Sequence, residues 1–263
     1  MKNNKGFTLA ELAVAFVIIA ILLAGAIIPL RTQIDVRNTA DTQRSMDAIK
    51  EAIIGFALVN GRLPCPADGT ISAGSAGSGT EQYNGSQCAN VSGVVTFGVV
   101  PWATLGVSET DAWGRRFSYY VSPHFADAVG TTFDCTPTPA PTQSSFALCS
   151  LGILTVNTRN DGTHAATAIG SVLPAVIISH GKNGYGAYTS SGTTLAAPAA
   201  GTDEAANATH TNGATTFYSR TPTPSASGCS DTAAGSFCEF DDIVVMISTP
   251  TLIARMVSAG KLP

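Results

Sequence analysis

Apolar residues run without interruption from Leu12 to Ile28, and between Phe7 and Leu30 only Thr8 and Glu11 carry polar side chains. A stretch of that length can cross a bilayer core, which needs about 20 residues. Beyond Arg31 the pattern changes to a helical period. Met46, Ile49, Ile53 and Phe56-Ala57 recur at spacings of three and four, with Arg44, Asp47, Lys50 and Glu51 on the other faces. Asn60-Gly61 is a helix stop, and Pro64 and Pro66 forbid continuation. Phe7 to Asn60 therefore reads as one long helix, about 80 Å if unbroken. Pro29 is expected to kink it or to interrupt its hydrogen bonding.

After residue 63 short β-like runs take over, at 94–100, 116–122, 151–157, 172–179 and 242–248, rich in Val, Ile and Tyr. Gly, Ser, Thr, Ala and Pro dominate the segments between them, notably 67–93, 134–146 and 187–236, which read as long loops. Near the C-terminus, Thr249 reads as an N-cap with Pro250 at the first helical position. Leu252, Ile253, Met256 and Val257 form one face, and Gly260 is the stop. The implied fold is α+β: a long N-terminal helix with a transmembrane first half, packed on a small antiparallel sheet, a loop-rich body and a short C-terminal helix.

The apolar N-terminal run is too long for a secretory signal peptide, and Pro29-Leu30-Arg31 follows it rather than a small-residue cleavage site. A single-span anchor fits the length, and Lys2 and Lys5 place its N-terminus on the cytoplasmic side. Glu11 fits neither description. A carboxylate inside an apolar span costs about 2.5–3.5 kcal/mol on insertion scales and calls for a partner.

Charged residues make up 12% of the 263, about half the share usual in soluble chains. Residues 1–63 hold seven basic and five acidic side chains, so the body is charge-poor. That balance disfavours a cytosolic enzyme, and a net charge of −4 offers no broad attraction to nucleic acid. A local patch at Arg115-Arg116 remains. The histidines are His124, His164, His180 and His210. Asp161 and His164 share a polar loop, but no nucleophile or metalloprotease motif accompanies any of them. Six cysteines without zinc-like spacing suggest disulfides in a body outside the cytoplasm. Each has a near neighbour across a polar loop, which points to Cys65 with Cys88, Cys135 with Cys149, and Cys229 with Cys238.

Lys5-Gly6-Phe7-Thr8-Leu9-Ala10-Glu11-Leu12 closely resembles the prepilin cleavage and methylation signal of type IV pilins and type II secretion pseudopilins. The resemblance implies cleavage between Gly6 and Phe7 and N-methylation of Phe7 by prepilin peptidase/N-methyltransferase. It implies a filament-assembly role for Glu11, which would meet the N-terminal ammonium of a neighbouring subunit. Residues 1–6 are then the leader, 7–30 the transmembrane and filament-core helix, 31–61 an amphipathic stem, and 62–263 a periplasmic or extracellular body. Asn60-Gly61-Arg62-Leu63-Pro64 and Asp111-Ala112-Trp113-Gly114-Arg115-Arg116-Phe117-Ser118-Tyr119 resemble segments of the major pseudopilins, with Ala112 where the family has Pro. There Asp111 is expected to cap a turn, Trp113 to supply a buried ring and Gly114 to permit positive φ. Ser179-His180-Gly181-Lys182-Asn183-Gly184-Tyr185-Gly186, with Asp241 and Asp242, resembles the family's calcium loop, although residues 187–236 separate the two halves.

The combined reading is a structural subunit, a minor pilin or pseudopilin with an enlarged body, and not an enzyme. It would sit as a single-pass protein in a bacterial inner membrane, then enter a pilus or pseudopilus. The partners implied are the peptidase, other pilins and the inner-membrane assembly platform. The alternatives are a tip-located adhesin or DNA- or substrate-binding module, and a membrane-anchored enzyme.

Overall fold

The computed structural model describes residues 8–89, 95–130, 133–137, 139–160, 164–210 and 213–262, with the backbone alone for 23–32. The chain divides into two compact units, residues 1–40 and 41–263. In the first, α1 (Leu9–Asn60) begins at a reciprocal cap. Thr8 Oγ1 accepts from the Glu11 amide at 3.3 Å, while Glu11 Oε2 accepts from the Thr8 amide at 2.9 Å and from its hydroxyl at 2.8 Å. This is the capping-box arrangement of a Thr three residues before a Glu. From Thr8 to Leu22 every side chain is exposed. α1 is assigned as one element through Pro29. Among the described residues no helix is long and apolar enough to cross a membrane. The span expected over 7–30 is therefore not recovered. Described side chains stop at Leu22, and the run from Leu9 covers only about 21 Å of helix, short of a bilayer core of roughly 30 Å.

The second unit begins within α1 and is layered. Strands β1 (Thr96–Val99), β2 (Ser118–Val121), β5 (Ala175–Ser179) and β7 (Ile243–Ile247) form an antiparallel sheet in the order β1-β2-β5-β7. Strand alternation sends side chains to two faces. Tyr119, Val121, Ala175, Ile177 and Ile247 share a cluster with Met46, Ile49, Ile53 and Ala57 of the stem and with Leu252 and Met256 of α4 (Thr249–Ser258). Tyr120, Val176 and Ile178 turn the other way, onto Leu154, Val156 and Phe217. Those last three belong to a second sheet, β4-β3-β6, built from β3 (Leu154–Arg159), β4 (Ala166–Leu173) and β6 (Thr216–Tyr218). The stem residues sit at 0% exposure, so Met46, Ile49 and Ile53 each contribute roughly the 1.5–3 kcal/mol of a fully buried large apolar chain.

Several expectations need correction. The body has two sheets rather than one, and β3 pairs with β6 in parallel. β4 and β6 escape a periodicity search because β4, Ala-Thr-Ala-Ile-Gly-Ser-Val-Leu, is almost wholly exposed and β6 has three residues. The segment 187–236 is not featureless, since it holds α3 (Asp203–Asn207) and β6. Ser248, not Thr249, is the cap residue of α4, so Pro250 falls one place later. Val257 is 43% exposed, while Leu252 and Met256 are buried in the core and Ile253 packs against it partly buried.

The long polar segments are pinned by specific groups. Disulfides join Cys65 to Cys88, Cys135 to Cys149 and Cys229 to Cys238. Gly61 ends α1 at φ 73°, where a Cβ would lie 2.1 Å from the Gln143 carbonyl oxygen. Next to it, the Arg62 guanidinium makes two 2.8 Å bonds to Glu81 and lies 3.7 Å from the Tyr83 ring centroid. Arg116 is fully buried, donates to Glu109 and to the carbonyls of Gly69, Ile71 and Ser190, and stacks on Trp102. It ties three loops together and is no surface patch for nucleic acid.

Candidate functional site

β5 and β7 pair antiparallel with Ser179 opposite Ile243, which brings the loop after β5 and the residues before β7 to one end of the sheet. α3 comes to the same place from the inserted segment, started by Thr202, whose side chain accepts from the Ala205 amide. Carboxylate oxygens of Glu204, Asp241 and Asp242 lie there within 4.8 Å of one another. Glu204 Oε1 accepts from Asn183 Nδ2 and from the Asp241 amide, each at 3.0 Å. Asp241 Oδ2 accepts from the Asn183 amide at 2.9 Å, and Asp242 Oδ2 from Asn207 Nδ2 at 2.8 Å. Gly181, at φ 56°, makes the approach possible, because a Cβ there would lie 2.3 Å from Asp241 Oδ1.

Three carboxylates this close and this dry repel one another. Burial, reinforced by Asp241 and Glu239 and opposed by the Asn183 and Asp241 hydrogen bonds, raises Glu204 to about 7. Burial and the neighbouring Glu204 hold Asp242 well above the ordinary carboxylate range, and burial raises Asp241 as well. Among the described residues Asp241 Oδ1 is buried without a hydrogen-bond partner. A hard divalent cation such as calcium, which takes oxygen ligands only, fits this set of donors. Asp241 and Asp242 are the residues singled out from the sequence; Glu204 is not. Its only sequence signal is Thr202-Asp203-Glu204, a helix start with acids in the first turn.

The remaining expected residues have structural partners. Asp111 Oδ1 accepts from the amides of Trp113 and Arg115, as a turn cap should, and its Oδ2 accepts from Ser179 Oγ at 2.7 Å. Gly114 has φ 79°. Trp113 is half-buried rather than a core ring, since its turn lies at the surface. Ser118 Oγ lies 2.8 Å from His180 Nε2, and His180 Nδ1 lies 3.8 Å from Asp242 Oδ1. These are the residue types of an acyl-transfer triad, but Ser118 and His180 are both at 0% exposure and the second distance exceeds a hydrogen bond. Burial, with His210 and Arg115 nearby, lowers His180 to about 3, so it stays neutral in the core. Asp161, Gly6 and Phe7 lie outside the described residues, and of Pro29 only the helical backbone is described.

Residues 1–27 match the family model described as the prokaryotic N-terminal methylation motif. Comparisons with curated proteins and with solved structures find no match. The beginning of this chain is the type IV pilin and pseudopilin signal.

Proposed function

We propose that the protein is a minor pilin or pseudopilin, cut after Gly6, methylated on Phe7 and assembled with other pilins into a filament. The observation that carries this reading is the methylation motif at residues 1–27 leading into a helix whose side chains are exposed all round from Thr8 to Leu22. An apolar surface of that kind has to be covered by lipid or by neighbouring helices. Inner membrane first and filament core afterwards supply both covers, with the body on the periplasmic side. Glu11 has one oxygen engaged by Thr8, and in sequence it follows by four residues the N-terminus that cleavage would create. A cation from a neighbouring subunit offsets the desolvation of that carboxylate in the packed core.

In the body, Glu204, Asp241 and Asp242 would hold calcium. The ion would neutralise the three carboxylates and fasten the inserted segment, through α3, to the end of the central sheet. Filament incorporation tests the main reading. Glu11→Val subunits are expected to be cleaved yet to be lost from sheared filaments or from cross-linked pseudopili. Normal incorporation would reject the role of Glu11.

A further inference from the structure

Where β3 ends, a cavity of about 420 Å³ is lined by Arg159, Asn160, Arg220, Thr221, Thr223 and Phe237. It shares no lining residue with the acid cluster. Its floor is an ionic network of unusual depth for so charge-poor a body. Asp203 bridges the two arginines, accepting from Arg159 Nε at 2.8 Å and from Arg220 Nε at 2.9 Å, and Asp231 takes Arg220 Nη2 at 3.0 Å. Side chains of Arg220, Asp203 and Asp231 are at most 2% exposed, and Arg159 is 10% exposed. Phe237 and Phe240 lie 4.7 and 4.5 Å from the Arg220 guanidinium and hold it flat.

Such burial costs several kcal/mol per ion, and well-packed apolar residues would stabilise the fold at least as well. A second anomaly lies against the same wall. His164 is 3% exposed, stacks 4.1 Å from Phe237, and among the described residues neither ring nitrogen has a hydrogen-bond partner. Its backbone is left-handed at φ 54°. Buried unpaired nitrogens and a left-handed non-glycine residue are each unfavourable, and strain of this kind gathers at ligand clamps.

The chemistry of the walls selects the ligand. Each guanidinium has five N–H donors. Arg159 makes three hydrogen bonds and Arg220 four among the described residues, which leaves three donors over. The local acceptors are consumed, since both carboxylates of Asp203 and Asp231 are held by the arginines. Two positive and two negative charges cancel, so the network offers spare N–H donors rather than net charge, which disfavours a polyanion. Asn160 and Thr221, both exposed at the rim, add groups that donate and accept. The volume is that of a pocket for a small sugar.

We infer that this cavity binds an acidic saccharide, a sugar residue bearing one carboxylate. The carboxylate takes the spare guanidinium donors, and the hydroxyls meet Asn160 and Thr221. The inference goes beyond filament assembly and is tested without it. The full chain in detergent micelles is titrated with glucuronate, galacturonate, glucose and sulfate, followed by saturation-transfer NMR and calorimetry. At least one uronate is expected to bind about tenfold more tightly than glucose, a difference of about 1.4 kcal/mol, with sulfate weaker still. Asn160→Ala and Thr221→Ala lie outside the buried network and should keep the native melting temperature. Each should weaken the uronate about fivefold or more, on the scale of one lost hydrogen bond. Ring resonances of His164 should shift on saturation with the uronate. Failure of every uronate to bind the folded protein, equal binding of glucose or sulfate, or indifference to both substitutions would each overturn the assignment.

Discussion

Val172 occupies a left-handed conformation, φ 52°, that a β-branched side chain adopts at a cost of about 1–2 kcal/mol. Its carbonyl accepts from the Gly152 amide and from Thr249 Oγ1, so the local backbone is fixed by its neighbours. The side chain is 43% exposed and little packing depends on it. Val172→Gly is therefore expected to raise the unfolding free energy by about 0.5–1 kcal/mol after the entropic penalty of glycine. Urea denaturation measures this, and a loss of stability would mean that the strain is absent. Arginines divide by burial in the same assay. Arg116→Ala should cost about 3–5 kcal/mol, because Glu109 and three carbonyls lose their buried partner. Arg255, paired with Glu51 at 3.2 Å with both side chains more than half exposed, should cost less than about 1 kcal/mol on the same change. Arg116 also shows where residue chemistry misleads. Arg115-Arg116 reads as a basic patch, yet the second arginine lies fully buried just ahead of β2, bridged to Thr110.

At the scale of elements, the stem is the most legible part of the chain. Met46, Ile49, Ile53 and Ala57 carry a 3.6-residue period, and all four are buried against the central sheet. The five strand-like runs overlap β1, β2, β3, β5 and β7, whose cores are rich in β-branched and aromatic residues. β4 is not legible, since an exposed strand of small residues has no apolar face to alternate. Nor is the acid cluster fully legible. Glu204 lies 37 residues from Asp241, and only the folding of α3 against Asn183 and the β7 approach joins them. The cluster gives the elements a pH dependence with a definite sign. Without a cation, folded Glu204 titrates near 7 against an ordinary 4.5, so the folded state binds more protons in that window. Stability should then fall as pH rises from about 4.5 to about 7. Calcium should remove the fall by binding the ionised form, as any ligand specific to the folded state stabilises it. Thermal melts at both ends of the window, with chelator and with calcium, decide the matter. A melting temperature that rises with pH in chelator, or is indifferent to calcium, would refute the cation reading. Loss of the Cys65–Cys88 bridge, which joins residues 23 apart beside the stem, should cost roughly 3 kcal/mol in chemical denaturation.

For the whole molecule, the division of labour follows the charge pattern. The first unit presents an apolar helical surface with one acid near its start, and that surface has no use except in contact with lipid or other helices. The second unit carries its own layered core and three disulfides. Fold class and the N-terminal signal are readable in order along the chain because each is local. The second sheet and both sites of the inserted segment depend on contacts made across long separations, which no local pattern encodes. The central claim, that the chain is matured as a pilin, has a direct measurement. Intact-mass spectrometry of the protein from membranes of cells with prepilin peptidase should show loss of residues 1–6 and one added methyl group on Phe7. A mass that retains Met1 to Gly6 in those cells would contradict it.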